Sequence, residues 1–173
     1  FGENKIQEMS DKFEAMPKDI QWHMIGHVQS NKVKFMAPYV ALIHGVDTLK
    51  LLQEINKQAA KNNRVISVLL QVFIADEETK FGFDAAELSE IYNSNVSATH
   101  KKIKVQGLMG MATFTENQQQ IKEEFTTLKS LYDQFKTTNN LSILSMGMSG
   151  DYKIAIDCGS TMVRIGSSIF GSR

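Results

Sequence analysis

Val65-Ile66-Ser67-Val68-Leu69-Leu70-Gln71-Val72-Phe73-Ile74 is apolar at every position except Ser67 and Gln71. A strand with one face in water alternates apolar and polar residues, so this run reads as a strand covered on both faces. It is far too short to span a bilayer. Leu141 to Gly147 repeats the pattern. Strands covered on both sides belong to parallel sheets packed between helices.

Outward from these two runs, the chain alternates. Further strands are expected at Gln21 to Gly26, Ala41 to Val46, Lys104 to Met111 and Met162 to Ile169. Helices are expected between them, at Lys5 to Met16, Asn31 to Ala37, Thr48 to Asn62, Ala85 to Val96, Glu116 to Lys136 and Gly150 to Cys158. Thr48 to Asn62 sets Leu49, Leu52, Ile55 and Ala59 on one helical face. Thr115 with Gln118 has the spacing of a capping box at the head of the longest helix, and Asp84 with Glu87 makes a similar start. Pro17 and Pro38 fall where helices should end.

Strict alternation of strand and helix implies a parallel sheet. Phe1 to Asn4 reads as the end of one more strand, which makes seven. The expectation is an α/β fold, a (β/α)8 TIM barrel in a single domain over residues 1–173. It is N-terminally incomplete on this reading, lacking a first strand upstream. The competing architecture is a doubly wound open sheet.

Composition narrows the function. Nineteen Lys and Arg balance nineteen Asp and Glu in 173 residues. Zero net charge argues against non-specific nucleic-acid binding and against attraction to an anionic membrane. A single cysteine, Cys158, excludes an internal disulfide and any multi-thiolate zinc site, and fits a reducing, cytoplasmic setting. No charged-then-apolar leader opens the sequence.

Glycine and polar residues gather just past each strand, at Gly2-Glu3-Asn4, Gly26-His27, His44 to Asp47, Asp76 to Gly82, Gly107 to Gly110, Met146 to Gly150 and Arg164 to Ser168. In a parallel barrel these strand ends share one rim, where ligands bind. Gly147-Met148-Ser149-Gly150 leads into a helix and Gly166-Ser167-Ser168 closes the last strand. Glycine backbone, serine hydroxyls and free N–H groups on the last two loops suit a phosphate. The alternative is that Ser149 only caps a helix and the glycines only permit turns.

His23 beside Trp22 reads as a hydrogen-bonded core histidine, His27 and His44 as rim residues, and His100 as facing solvent. Cys158 reads as a small buried residue, and the methionines near Met109 and Met146 as core. No Ser-His-Asp order, paired carboxylates or metal-ligand set stands out.

Several stretches resemble the pyridoxal phosphate homeostasis proteins. They are Phe1-Gly2-Glu3-Asn4 with Gln7-Glu8, Trp22 to His27 with Gln29-Ser30-Asn31-Lys32, and Gly107-Leu108-Met109. The most specific are Leu144 to Ser149 and Gly159 to Gly166 with Phe170-Gly171. The resemblance covers essentially the whole chain. It implies a lone barrel of the alanine racemase N-terminal type with pyridoxal 5′-phosphate at its rim. Ser149, Gly166 and Ser167 would hold the phosphate, Arg164 would face the pyridine nitrogen, and Asn4 would lie beside the ring. Without the resemblance, Arg164 would read as a surface arginine paired with a carboxylate such as Asp157.

Ser167 stands where the family often has Thr, and Phe73 where it commonly has Asn. The family's Schiff-base lysine is expected upstream of residue 1, and none of Lys5, Lys12, Lys32 and Lys80 is its equivalent. The resemblance further implies a bacterial, cytoplasmic, monomeric protein that holds or delivers the cofactor without catalytic turnover. Its other partners would be apoenzymes that depend on pyridoxal phosphate, met transiently. The alternatives are a cofactor-dependent amino-acid racemase, which would need a second acid/base group that this chain does not offer, and a sugar-phosphate enzyme on a similar barrel.

Overall fold

The structure, a computed structural model, describes residues 1–76, 81–94 and 99–171. Seven parallel strands run β1 (Gly2–Glu3), β2 (His23–Met24), β3 (Leu42–Val46), β4 (Ile66–Gln71), β5 (Ile103–Met109), β6 (Ile143–Met148) and β7 (Met162–Arg164). Between and after them lie helices α1 (Ile6–Ala15), α2 (Val33–Met36), α3 (Leu49–Lys61), α4 (Ala85–Asn93), α5 (Gln118–Asn139), α6 (Tyr152–Asp157) and α7 (Ser167–Phe170). Lys80 and the expected end of the fourth helix at Val96 lie outside the described residues.

Sheet order is the sequence order, β1 to β7. A doubly wound sheet reverses its strand order at a switch point, and this one never does. Closure is visible in a single hydrogen bond. His44 Nδ1 on β3 lies 3.1 Å from Ser145 Oγ on β6. Those strands are three places apart, which in a flat sheet would separate them by about 14 Å. The sheet therefore wraps around an interior, as the barrel reading requires.

Two apolar layers result. Leu42, Leu69 and Met109 pack inside the barrel with Met111, Ile143 and Met162 against them. The larger core lies between strands and helices, and includes Trp22, Met24, Ile43, Leu52, Ile55, Val68, Leu70, Leu108, Phe125 and Leu144. Gly107 is needed where β5 meets β6, because a Cβ there would lie 1.7 Å from the Ile143 carbonyl oxygen.

Several boundaries differ from expectation for local reasons. The last strand stops at Arg164 instead of reaching Ile169, because the backbone turns at Gly166 and residues 167–170 form a helix. Asn117, not Thr115, caps α5, its Oδ1 accepting from the N–H groups of Gln119 and Gln120. Thr115 instead accepts from Asn117 N–H. Asp84 and Glu87 do form a full reciprocal capping box on α4. Leu49 is 46% exposed at the head of α3, where the buried face is carried by Leu51, Leu52, Ile55 and Ala59.

The rim loops are tied down by side chains. Gln71 Nε2 donates to the Phe81 carbonyl at 2.7 Å, and Phe83 N–H donates to the Gln71 carbonyl at 2.8 Å. Glu124 of α5 is buried and accepts from both the N–H and the hydroxyl of Thr113, each at 2.6 Å.

Candidate functional site

On three strands an interior apolar residue is followed two positions later by a polar one: Leu42 then His44, Ile143 then Ser145, Met162 then Arg164. Successive side chains alternate faces, so each pair shares the interior. The apolar floor is thus topped, toward the C-terminal ends of the strands, by His44, Ser145 and Arg164.

Arg164 is only 9% exposed. Its Nη1 donates to the Ser145 carbonyl at 3.1 Å and to Ser145 Oγ at 2.8 Å, and its Nη2 donates to the Gly110 carbonyl at 3.3 Å. No carboxylate among the described residues pairs with it, contrary to the surface pairing with Asp157. A guanidinium has five N–H donors. Nε–H and one Nη2 hydrogen remain without a protein acceptor among the described residues. Burial pulls its pKa down to about 10, against a smaller opposing effect of Asp151, so it stays cationic at neutral pH.

His44 is a correction. It lies buried in the interior instead of at the rim. Its Nδ1 faces Ser145 and its Nε2 lies 3.2 Å from His23 Nδ1. Burial, then the charge of Arg164, then His23, push its pKa down to about 3. His23 is hydrogen-bonded as expected, and burial lowers its pKa too.

Above this layer the two glycine-serine loops meet. Gly147 has φ of +96°, and a Cβ there would lie 2.5 Å from Ala155 Cβ, so only glycine lets the loop turn tightly onto α6. Met148 N–H donates to Asp151 Oδ1 at 2.5 Å. Ser149 Oγ then accepts from Gly166 N–H at 3.1 Å and from Ser168 N–H at 3.4 Å. A Cβ built on Gly166 would meet no heavy atom within 4 Å, and its φ of −128° lies outside the left-handed region. Neither packing nor backbone conformation demands glycine there; its effect is to leave space at the rim.

Ser149, Gly166 and the exposed Ser167 are thus gathered beside the strand that carries Arg164. Asn4 is not brought to them by any hydrogen bond; it is exposed just past β1, with its carbonyl where a Cβ of Gly26 would fall. Lys5 pairs with Glu8, and Lys12 with the buried Glu3. Phe73 is half-exposed past β4, its N–H bonded to the Phe83 carbonyl. His27 does sit at the rim, 3.2 Å from Asp47 Oδ2 and stacked on Phe81. Sequence reading did not find Ser145, Gly110 and His44 as the surroundings of Arg164; the apolar-then-polar spacing puts His44, Ser145 and Arg164 on one face of their strands but does not say that they meet. No metal-binding group of His, Cys, Asp or Glu occurs among the described residues.

All 173 residues match the family model described as alanine racemase, N-terminal domain. A pyridoxal phosphate homeostasis protein of Aquifex aeolicus is 41% identical over 176 residues, covering 100% of this chain and 76% of that protein. The chain belongs to the pyridoxal phosphate homeostasis family. Another member, from Helicobacter pylori, is 42% identical over 172 residues, covering 98% of this chain and 76% of its own. The solved structure of PipY from Synechococcus elongatus, with PLP bound, superposes with a TM-score of 0.86 at 28% identity. That match covers 99% of this chain and 81% of PipY. The homeostasis family assignment agrees with the resemblance carried by the FGEN and Leu144 to Ser149 stretches.

Proposed function

We propose that this protein holds pyridoxal 5′-phosphate at its strand-end rim and takes part in cofactor homeostasis. The observation that carries the reading is Arg164, a buried cation with no carboxylate partner and two donors to spare. Its spare Nε–H is not among the sealed, unpartnered buried atoms, so it opens toward the rim and is free to meet an acceptor or anion. The cofactor offers both, in a pyridine nitrogen and a phosphate.

Ser149, Gly166 and Ser167 would hold the phosphate. Gly166 leaves the room, and the Gly166 and Ser168 N–H groups already converge on the Ser149 hydroxyl. Asn4 would lie beside the ring. When bound, the cofactor supplies an aldehyde and an electron-accepting ring. Arg164 can only donate, so it would leave the ring nitrogen unprotonated and the ring a poorer electron sink. That favours holding over turnover.

Racemisation needs acid/base groups on both faces of a bound amino acid. His44 has both nitrogens engaged below the rim, and Arg164 does not give up its proton readily. We therefore read the protein as a non-catalytic holder, and the family resemblance implies that it is monomeric and cytoplasmic and meets dependent apoenzymes transiently. Among the described residues no helix is long and apolar enough to cross a membrane.

Replacing Ser149 and Ser167 together with Ala tests the site. Charge-assisted hydrogen bonds contribute about 1.5–3 kcal/mol each, so loss of both should lower affinity for pyridoxal phosphate at least ~100-fold with melting little changed. Undiminished affinity would remove the phosphate assignment. Exchange of L- into D-alanine by the loaded protein, at rates above free cofactor, would restore the racemase reading.

A further inference from the structure

The interior polar layer has a direction. Arg164 donates to Ser145 Oγ, and arginine accepts nothing. Ser145 is fully buried, and the acceptor within reach of its own hydroxyl proton is His44 Nδ1. Nδ1 therefore carries the lone pair and Nε2 the proton, which points at His23 Nδ1, 3.2 Å away. The donors run one way, from Arg164 through Ser145 and His44 to His23. Reversing the Ser145–His44 link would leave the Ser145 proton buried without an acceptor, a cost that favours this polarity, and the His44 tautomer it fixes sets the link to His23.

We propose that His44 is a positioning residue for the ring-nitrogen contact, fixing Arg164 through Ser145 so that its two spare donors face the ligand. This rests on the reading of Arg164 given above. The rotor that needs fixing is Ser145, the one side chain that touches both. With His44 accepting its proton, Ser145 Oγ presents its lone pair to Nη1. The hydroxyl then adds a third fixed acceptor to the Ser145 and Gly110 carbonyls, and the three together set the guanidinium plane. Without His44 the hydroxyl can turn its proton elsewhere and the guanidinium loses a fixed partner.

The test uses the full-length protein with two probes, pyridoxal 5′-phosphate and its analogue with C–H in place of the ring nitrogen, bound at neutral pH. Wild type should prefer the natural compound by about 10-fold or more, the value of one charge-assisted hydrogen bond. His44→Phe should bring that preference below about 3-fold while binding the analogue as wild type does. His44→Gln, whose amide supplies an acceptor and a donor, should restore much of the preference. Ser145→Ala carries the same expectation as His44→Phe and serves if the latter does not fold. An unchanged preference in His44→Phe or Ser145→Ala would overturn the positioning role and leave the site reading intact. Equal loss of both probes would also overturn it, since a packing role alone predicts that. Wild type without preference would overturn the Arg164 contact itself.

Discussion

A neutral imidazole beside a buried guanidinium makes the interior sensitive to acid. His44 is faced by Arg164, Ser145 and His23, and its folded pKa of about 3 lies well below the 6.5 of a free imidazole. Between those values the unfolded chain binds a proton that the folded chain refuses. Its contribution to stability is thus complete above pH 6.5 and is lost as pH falls toward 3, at up to about 1.4 kcal/mol per pH unit. Urea midpoints at pH 7 and pH 5 should show the decline, and His44→Phe should make it shallower, leaving the share due to His23. An identical slope in the variant would contradict the assignment. Arg164 was legible as a site residue only through family resemblance. Its partners were not, because a contact between β3 and β6 exists only once the sheet has closed, and no local pattern encodes which distant strand a side chain will face.

Elements were legible in kind and less so in extent. Hydrophobic period and β-branched runs separate strand from helix well, yet they continue past the true ends. Met162 to Ile169 reads as one strand; the N–H groups of Gly166 and Ser168 turn to Ser149 instead of the sheet, and the strand ends early. The head of α5 shows the same competition between two capable residues. Thr115 fits the capping-box spacing, but Asn117 Oδ1 takes two helix N–H groups and wins. Asn117→Ala should cost about 1 kcal/mol and Thr115→Ala clearly less, read from chemical unfolding. The reverse ranking would mean that the capping assignment is wrong.

For the whole molecule, alternation of strands and helices was enough to infer a parallel sheet, and the polar clusters after each strand were enough to infer a common rim. In the structure, parallel pairing in sequence order bears out the first, while His44, Gly107–Met109, Met146–Met148 and Arg164 lie within strands and not past them. Stability should be uneven across it. The edge strands Gly2–Glu3 and Met162–Arg164 are short and paired on one side, whereas β4 and β5 are long and paired on both. Amide hydrogen exchange should be slowest in Ile66–Gln71 and Ile103–Met109, the long strands paired on both sides. Adding pyridoxal phosphate should slow exchange most over residues 162–170. Slowing confined to β3 and β4 would place the ligand elsewhere.

The open space over Gly166 makes folding and occupancy separable by a single methyl group. Gly166→Ala has no neighbour to push aside and should leave melting within about 1 kcal/mol of wild type. It should nonetheless narrow the ligand's seat and weaken binding. A cell making this variant would contain the protein at normal abundance but less often laden. Setting that cell beside one without the protein would divide the physiology into what the cargo does and what the carrier does by being present.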